Sequence, residues 1–305
     1  MTTRLSAAAK GWIFTAIVGV LAVTAALVIR LADIDSELAA MALWMSTPTL
    51  AALIMMLVVT RDGWRSEGWR ILGLRRSRRR TWPLAIGIAL AAGLAASATV
   101  WASPLAGFYF PNDGVDDLIN FVITIVFLSL TAVLGEELGW RGYLLPTIRS
   151  IGRNRALVVV GLVHATWHVP LILLTTLYHA DGNLLVVMPL FFATVVAASF
   201  VFGYLRLASG SVWPATLAHA THNASCALLG AFTATSHDVA VEEYLAGDNG
   251  LLILVATIAS IPVLRRFLTR PRRARRTRST SAPVNRPAAN HHARLGENHE
   301  QHTPA

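Results

Sequence analysis

Charged residues are scarce in this 305-residue sequence: they make up 14% of it, while 54% of the residues are hydrophobic. An average soluble domain is about 25% charged, so the composition excludes an ordinary water-soluble globule. The single cysteine, Cys226, excludes a disulfide-stabilised scaffold. A net charge of +9 would suggest nucleic-acid binding in a soluble protein. In a membrane protein it marks cytosolic loops instead, and we expect no nucleic-acid partner.

Long apolar stretches are present, and eight of them are long enough, or nearly so, to cross a bilayer. A transmembrane helix needs about 20 mostly apolar residues. The eight stretches, numbered as spans 1 to 8, are 11–31, 39–60, 82–103, 119–139, 156–177, 185–205, 211–230 and 250–267. No convincing cleavage site follows the first, which is interpreted as a retained anchor. The sequence therefore predicts an all-α polytopic membrane protein, a bundle of about eight transmembrane helices.

The charges alternate with these spans. Of the 26 Lys and Arg residues, 25 lie before span 1, between spans 2 and 3, between spans 4 and 5, after span 6, or from Arg265 onward. Arg30 is the exception. The opposite loops and helix starts hold eleven acidic residues: Asp33, Asp35, Glu37, Asp113, Asp116, Asp117, Asp181, Asp238, Glu242, Glu243 and Asp248. Positive charge marks the cytosolic face, so both termini are predicted to be cytosolic.

The chain divides into two predicted regions. Residues 1–268 are predicted to form a membrane-embedded domain with a functional core at 119–230. Residues 269–305 are rich in Arg, Pro, His, Ser and Ala and contain almost no large apolar side chains. Such a segment cannot bury enough apolar surface to fold, so we expect a disordered, basic cytosolic tail.

Span 4 ends in ionisable residues at bilayer depth, where each costs several kcal/mol on insertion scales and is a functional candidate. Glu137 and Arg141 are four residues apart on one helical face, which predicts an ion pair. Glu136 is rotated about 100° away and has no such partner in its own helix, which suits a general base. Three glycines beside them would let another helix approach closely: Gly135, Gly139 and Gly142.

Spans 5 and 7 add four histidines and an asparagine. His164 and His168 share one helical face, and His219, His222 and Asn223 share another. At 1.5 Å per residue, His168 lies about 18 Å and His219 about 12 Å from the cytosolic ends of their spans. With Glu136 near the cytosolic end of span 4, we expect one cavity that opens toward the cytosolic leaflet. His164 and His222 look more replaceable than the other two.

Three motifs in these spans resemble those of a known family. They are Glu136-Glu137-x-x-x-Arg141, Trp167-His168-x-Pro170 and His219-x-x-x-Asn223. In this order, each on its own span, they resemble the CAAX-processing and bacteriocin-processing intramembrane proteases (CPBP, or Abi). That family usually has an aromatic residue four positions before the first motif histidine, where this chain has His164.

The resemblance implies hydrolysis of a peptide bond inside the membrane. It implies that Glu136, with His168, activates a water molecule, and that His219 and Asn223 stabilise the oxyanion. Glu137 and Arg141 would support the architecture of the site. Proton transfer to a glutamate and hydrogen bonding from imidazole and amide groups suit these roles chemically.

The family is also described as a metalloprotease, so zinc is a candidate cofactor. Glu136, His168 and His219 have the chemistry to bind zinc and leave one position open. The zinc-protease signature His-Glu-x-x-His is absent, however, and a metal-free glutamate mechanism accounts for the same residues. We therefore favour a reaction with no obligatory zinc.

Two other functions use the same residue types. A non-catalytic immunity or scaffold protein would need only to bind, although it would not be expected to keep all three motifs. A proton-coupled transporter would use the glutamates and histidines as a relay, but paired halves and clearly broken helices are not seen. Arg outnumbers Lys 25 to 1, which is typical of a GC-rich bacterial genome. We expect a multi-pass protein of a bacterial plasma membrane whose partners are lipids and a membrane-associated peptide or protein substrate.

Overall fold

A computed structural model describes residues 5–77, 79–179 and 181–269, and it is built almost entirely of helices. The helices are α1 (Ala7–Leu31), α2 (Glu37–Ile54), α3 (Thr81–Trp101), α4 (Gly114–Leu130), α5 (Ala132–Glu137), α6 (Leu145–Ile148), α7 (Arg153–Leu174), α8 (Leu184–Ser209), α9 (Trp213–Ala231) and α10 (Leu251–Thr269). The all-α polytopic fold is thus confirmed. The predicted tail lies outside the described residues, except that Thr269 ends α10.

Shorter elements connect the long helices. Three π-helical segments are Met55–Val59, Leu138–Leu144 and Val239–Leu245, and three 3-10 segments are Asp62–Trp64, Gly68–Leu72 and Arg149–Ile151. Two-residue strands, β1 (Gly107–Phe108) and β2 (Thr233–Ala234), pair antiparallel with Gly107 opposite Ala234.

The arginine-rich segments meet at one end of the bundle, which we call the arginine-rich end. Arg206, near the end of α8, donates to the backbone carbonyls of Ile71 at 2.8 Å and Arg141 at 3.0 Å. Arg75 donates from Nε to the carbonyl of Gly210 at 2.8 Å. Three loops that the charge pattern assigns to the cytosol are therefore joined by direct hydrogen bonds.

The acidic loops meet at the opposite end, which we call the acidic end. The Trp101 indole donates to Thr233 Oγ1 at 2.9 Å, and the Tyr178 hydroxyl donates to the Asp248 carboxylate. The β1–β2 ladder also lies there. The long helices therefore run between the two ends that the charges distinguish.

Six helical stretches among the described residues are long and apolar enough to cross a membrane: Ala7–Leu31, Glu37–Val59, Thr81–Trp101, Gly114–Ile151, Arg153–Leu174 and Leu184–Ser209. They correspond to predicted spans 1 to 6. Helices α9 and α10 occupy predicted spans 7 and 8 without meeting that threshold. In α9 the polar residues of the third motif lower the hydropathy, and most of its side chains are buried within the bundle.

Span 4 differs from its prediction in two ways. Its helix breaks at Thr131, whose φ of −125° and ψ of −105° separate α4 from α5. Beyond the break, helical structure continues through α6 to Ile151 rather than stopping near residue 139. The prediction that Glu136 lies near the cytosolic end of the span is therefore wrong. Glu136 lies in the interior, with about three helical turns between it and the arginine-rich end.

The expected close approach of another helix is confirmed at Gly135 and Gly139, whereas an added Cβ on Gly142 would lie 3.3 Å from the carbonyl oxygen of Leu72 in a 3-10 segment. A Cβ added to Gly135 would lie 2.9 Å from the carbonyl oxygen of Met45, and one on Gly139 would lie 2.5 Å from Pro48 Cβ. Helix α2 thus packs directly against the backbone that carries the first motif. Small residues allow this approach, since packing between helices in lipid depends on backbone contact.

We expect Gly139→Ala to destabilise the protein by about 1–3 kcal/mol, because the new methyl group overpacks against Pro48. The matched control is Gly87→Ala in α3, where an added Cβ meets no atom within 4 Å. Thermal unfolding in detergent, followed by tryptophan fluorescence, measures both variants. Equal melting temperatures for the two would contradict the close packing of α2 on this segment.

Candidate active site

A cavity of about 570 Å³ lies between α2, α5, α7, α8 and α9. Its lining includes every residue that the sequence predicts to be catalytic and the two histidines judged more replaceable: Glu136, His164, His168, His219, His222 and Asn223. Three separate passes of the chain therefore bring one carboxylate, four imidazoles and an amide to one space. Glu137 and Arg141 lie behind this lining.

Glu136 is almost completely buried, with 3% of its surface exposed. Its Oε2 accepts a hydrogen bond from His164 Nε2 at 2.9 Å. The direct hydrogen-bond partner of Glu136 is therefore His164, a residue judged more replaceable from the sequence. His164 is held in place by aromatic neighbours, since its ring centroid lies 5.0 Å from that of Trp140.

His168 lies one helical turn further along α7. Its Nδ1 donates to the carbonyl oxygen of His164 at 3.1 Å. That bond assigns the proton of the neutral ring to Nδ1 and leaves Nε2 as a hydrogen-bond acceptor. The rings of Trp167 and Phe191 lie 4.5 Å and 5.0 Å from the imidazole, measured between centroids, and fix its orientation.

Behind the cavity, Glu137 joins two motifs. Its Oε1 accepts from Arg141 Nη1 at 2.6 Å and from His219 Nδ1 at 3.0 Å. The predicted Glu137–Arg141 ion pair is confirmed, and both side chains are fully buried. Arg141 also lies over the ring of Phe202, with its Cζ 5.0 Å from the centroid. A buried pair of this kind depends on both partners, because either charge alone would be uncompensated.

His219 is oriented by Glu137 on one side and by Phe202 on the other. Its ring stacks on Phe202 with centroids 5.0 Å apart and an interplanar angle of 19°. Because Nδ1 is engaged with Glu137, only Nε2 is available to a molecule in the cavity. His219 can therefore donate to an oxyanion only as the imidazolium. The amide of Asn223 can donate in any protonation state.

A polar network at the acidic end was not predicted from the sequence. Asn249 Nδ2 donates to the Tyr178 hydroxyl at 2.6 Å, and Tyr178 in turn donates to Asp248. His222 Nε2 donates to the backbone carbonyl of Asp248 at 3.0 Å. Burial and the neighbouring Asp248 carboxylate raise the pKa of Tyr178, so the phenol stays protonated. Tyr178 and Asp248 are 70 residues apart, and no sequence pattern links them.

The cavity extends toward the acidic end. Its lining continues from the motif residues to Thr233, Val241, Glu242 and Asp248. Among the described residues of the arginine-rich segments 61–77, 79–80 and 141–155, none lines the cavity. The prediction that the site opens toward the cytosolic leaflet is therefore wrong with respect to the charge pattern of this chain.

The donors predicted for zinc do not form a metal site. Across residues 5–77, 79–179 and 181–269, no group of three His, Cys, Asp or Glu side chains is arranged to hold a metal ion. Glu136 accepts from His164, and the Nδ1 atoms of His168 and His219 are engaged in hydrogen bonds of their own. These contacts form a hydrogen-bonded carboxylate and histidine site in which Nε2 of His168 and Nε2 of His219 remain available.

The comparison with known proteins concerns the segment that holds the motifs. Residues 118–225 match the family model described as type II CAAX prenyl endopeptidase Rce1-like. A protein of Methanococcus maripaludis named CAAX prenyl protease 2 is 33% identical over 76 residues, which is 25% of this chain. The matched segment spans 25% of that protein's length. The resemblance predicted from the three motifs is thus confirmed.

Proposed function

We propose that this chain, which carries the motif segment of the Rce1-like CAAX prenyl endopeptidases, is an intramembrane endopeptidase. Its substrate is a membrane-associated peptide or protein, and its setting is a bacterial plasma membrane. The observation that supports this most directly is the shared cavity, where Glu136, His168, His219 and Asn223 meet although they come from three passes of the chain. A binding protein would not need a buried carboxylate beside free imidazole nitrogens.

The first step requires a base for the attacking water. Glu136 takes a proton from water as its oxygen attacks the carbonyl carbon of the scissile peptide. His164 donates to Glu136 Oε2 and so aims the other carboxylate oxygen. His168 Nε2, an acceptor because Nδ1 is engaged with the backbone, holds the same water from a second direction.

The second step requires donors for the oxyanion and a proton for the leaving amine. The Asn223 amide and the imidazolium form of His219 donate to the tetrahedral oxygen, an interaction that a water-poor cavity strengthens. The C–N bond then breaks, and Glu136 returns its proton to the amine nitrogen. Glu137 stabilises the positive charge on His219 through their 3.0 Å hydrogen bond.

The test uses purified protein, a reporter peptide library and the same protein reconstituted in liposomes. Cleavage by the wild-type chain supports the endopeptidase. Peptide binding without cleavage would favour the immunity or scaffold function. Proton-coupled transport without proteolysis would favour the transporter.

We expect cleavage to survive exhaustive chelation, because Glu136 can activate water and Asn223 and His219 can bind the oxyanion without a metal ion. The rate is measured before and after dialysis against EDTA and phenanthroline, together with the zinc content of the sample. A soluble zinc protease treated in parallel serves as the control. Loss of activity that added zinc restores would contradict this prediction.

A further inference from the structure

The cavity has an identifiable mouth. Several lining residues are exposed, and they lie at the acidic end: Ala227, Gly230, Ala231 and Glu242. The lining residues around Glu136 and His219 are buried. A molecule that reaches the motif residues therefore passes the end of α9 and the segment between α9 and α10.

The depth of the site agrees with access from this end. His168 lies six residues before the end of α7 at Leu174, on the side of the acidic loops. At 1.5 Å per residue this distance is about 9 Å along the helix. An extended peptide covers it with about three residues, at about 3.3 Å each. A bond beside His168 is thus within reach of a segment whose neighbouring residues lie in the mouth.

The mouth is negatively charged. Glu242 and Asp248 line it, and the flanking loops 175–183 and 232–250 contain no Lys or Arg. Partial burial and the charges of Asp238, Glu243 and Asp181 raise the pKa of Glu242. His179 Nδ1 lies 2.5 Å from a carboxylate oxygen of Glu243. A cationic segment would be attracted there.

We propose that the substrate enters from the non-cytosolic side, through the acidic end, and that the segment crossing the mouth is cationic. The inference rests on the proposed function and on the rule that positive loops face the cytosol. It identifies the substrate class as a basic peptide, or the basic tail of a protein, presented at the outer face of the membrane.

Cys226 provides a built-in probe of access, because it is the single cysteine of the chain and lines the cavity. Membrane-impermeant methanethiosulfonate reagents are applied to right-side-out spheroplasts and to inverted membrane vesicles. We expect Cys226 to react from the outside and at least tenfold more slowly from the inside. Glu136→Gln should label like wild type, since access does not depend on catalysis.

Two sidedness controls are placed in a Cys226→Ser background. Ser66→Cys lies in an exposed part of the arginine-rich loop and should react only in inverted vesicles. Ser236→Cys lies in an exposed part of the acidic end and should react only in spheroplasts. Ala246→Cys is a second cavity probe at the mouth. Labelling of Cys226 from the side that labels Ser66→Cys overturns the proposal, as does labelling of neither Cys226 nor Ala246→Cys from either side.

The charge of the substrate is tested with reagents of opposite sign. The cationic trimethylammonium reagent should modify Ala246→Cys several-fold faster than the anionic sulfonate reagent. Glu242→Gln should reduce that ratio, whereas Glu37→Gln, at the exposed start of α2, should not. Equal rates for the two reagents overturn the cationic assignment. Failure of the purified protein to cleave any peptide would overturn the proposed function and leave these labelling patterns unchanged.

Discussion

Glu136→Gln is expected to lower peptide cleavage by about 10²–10⁴-fold, the usual contribution of a general base. The amide retains an oxygen that accepts the hydrogen bond of His164, so the local packing is kept. It cannot take a proton from water, so the attacking nucleophile is not formed. Initial rates with a reporter peptide, measured on purified protein at equal concentration, give the size of the loss.

The matched control is Glu37→Gln, which makes the same chemical change at an exposed position outside the cavity. It should cleave at the wild-type rate, and both variants should unfold at the wild-type temperature. Undiminished cleavage by Glu136→Gln would exclude this residue as the base. His168 Nε2 and the Glu137–His219 pair would then be the remaining candidates for the general base.

Arg141→Met is expected to destabilise the protein by about 3–5 kcal/mol, the cost of breaking a fully buried ion pair. The change leaves the carboxylate of Glu137 buried with His219 as its remaining partner. Methionine fills much of the same volume, so the loss arises from charge rather than from a cavity. Denaturant titration in detergent micelles, followed by tryptophan fluorescence, measures the free energy of unfolding.

Two companion variants separate charge from packing. Arg149→Met removes an exposed arginine from the same region, and its free energy of unfolding should be close to that of the wild-type protein. The double variant Arg141→Met with Glu137→Gln removes both charges and should recover part of the lost stability. A single variant as stable as Arg149→Met, or a double variant less stable than the single, would contradict the role assigned to this pair.

The membrane spans, and the end of the bundle at which each loop lies, could be predicted from the sequence. Hydropathy and loop charge are properties of short stretches of sequence, so they can be read without knowing how the helices pack. Spans 1 to 6 coincide with the apolar helices, and hydrogen bonds of Arg206 and Arg75 confirm that the arginine-rich loops meet at one end. The C-terminal boundary of span 4 was not accessible. An apolar count stops at the charges of Glu137 and Arg141, whereas their mutual neutralisation lets the helix continue inside the protein.

The members of the site were predictable, but their pairing was not. Helical spacing placed His164 and His168 on one face and could not show which of them meets Glu136, because that choice depends on how α5 and α7 pack. Tyr178 and Asp248 meet only after two loops fold together across the mouth. The end of the bundle at which the cavity opens likewise depends on where the helices diverge, which helical spacing in the sequence does not show.

The carboxylate oxygen that Glu137 shares between Arg141 and His219 bears on how related sequences should be interpreted. Arg141 and His219 both depend on it, so this acid supports the architecture whether or not hydrolysis occurs. A pseudoenzyme descended from such a protein would be free to replace Glu136 and would still have to keep the acid beside it. Under the proposed mechanism, retention of Glu137 alone would indicate the fold, and retention of Glu136 as well would indicate an active enzyme.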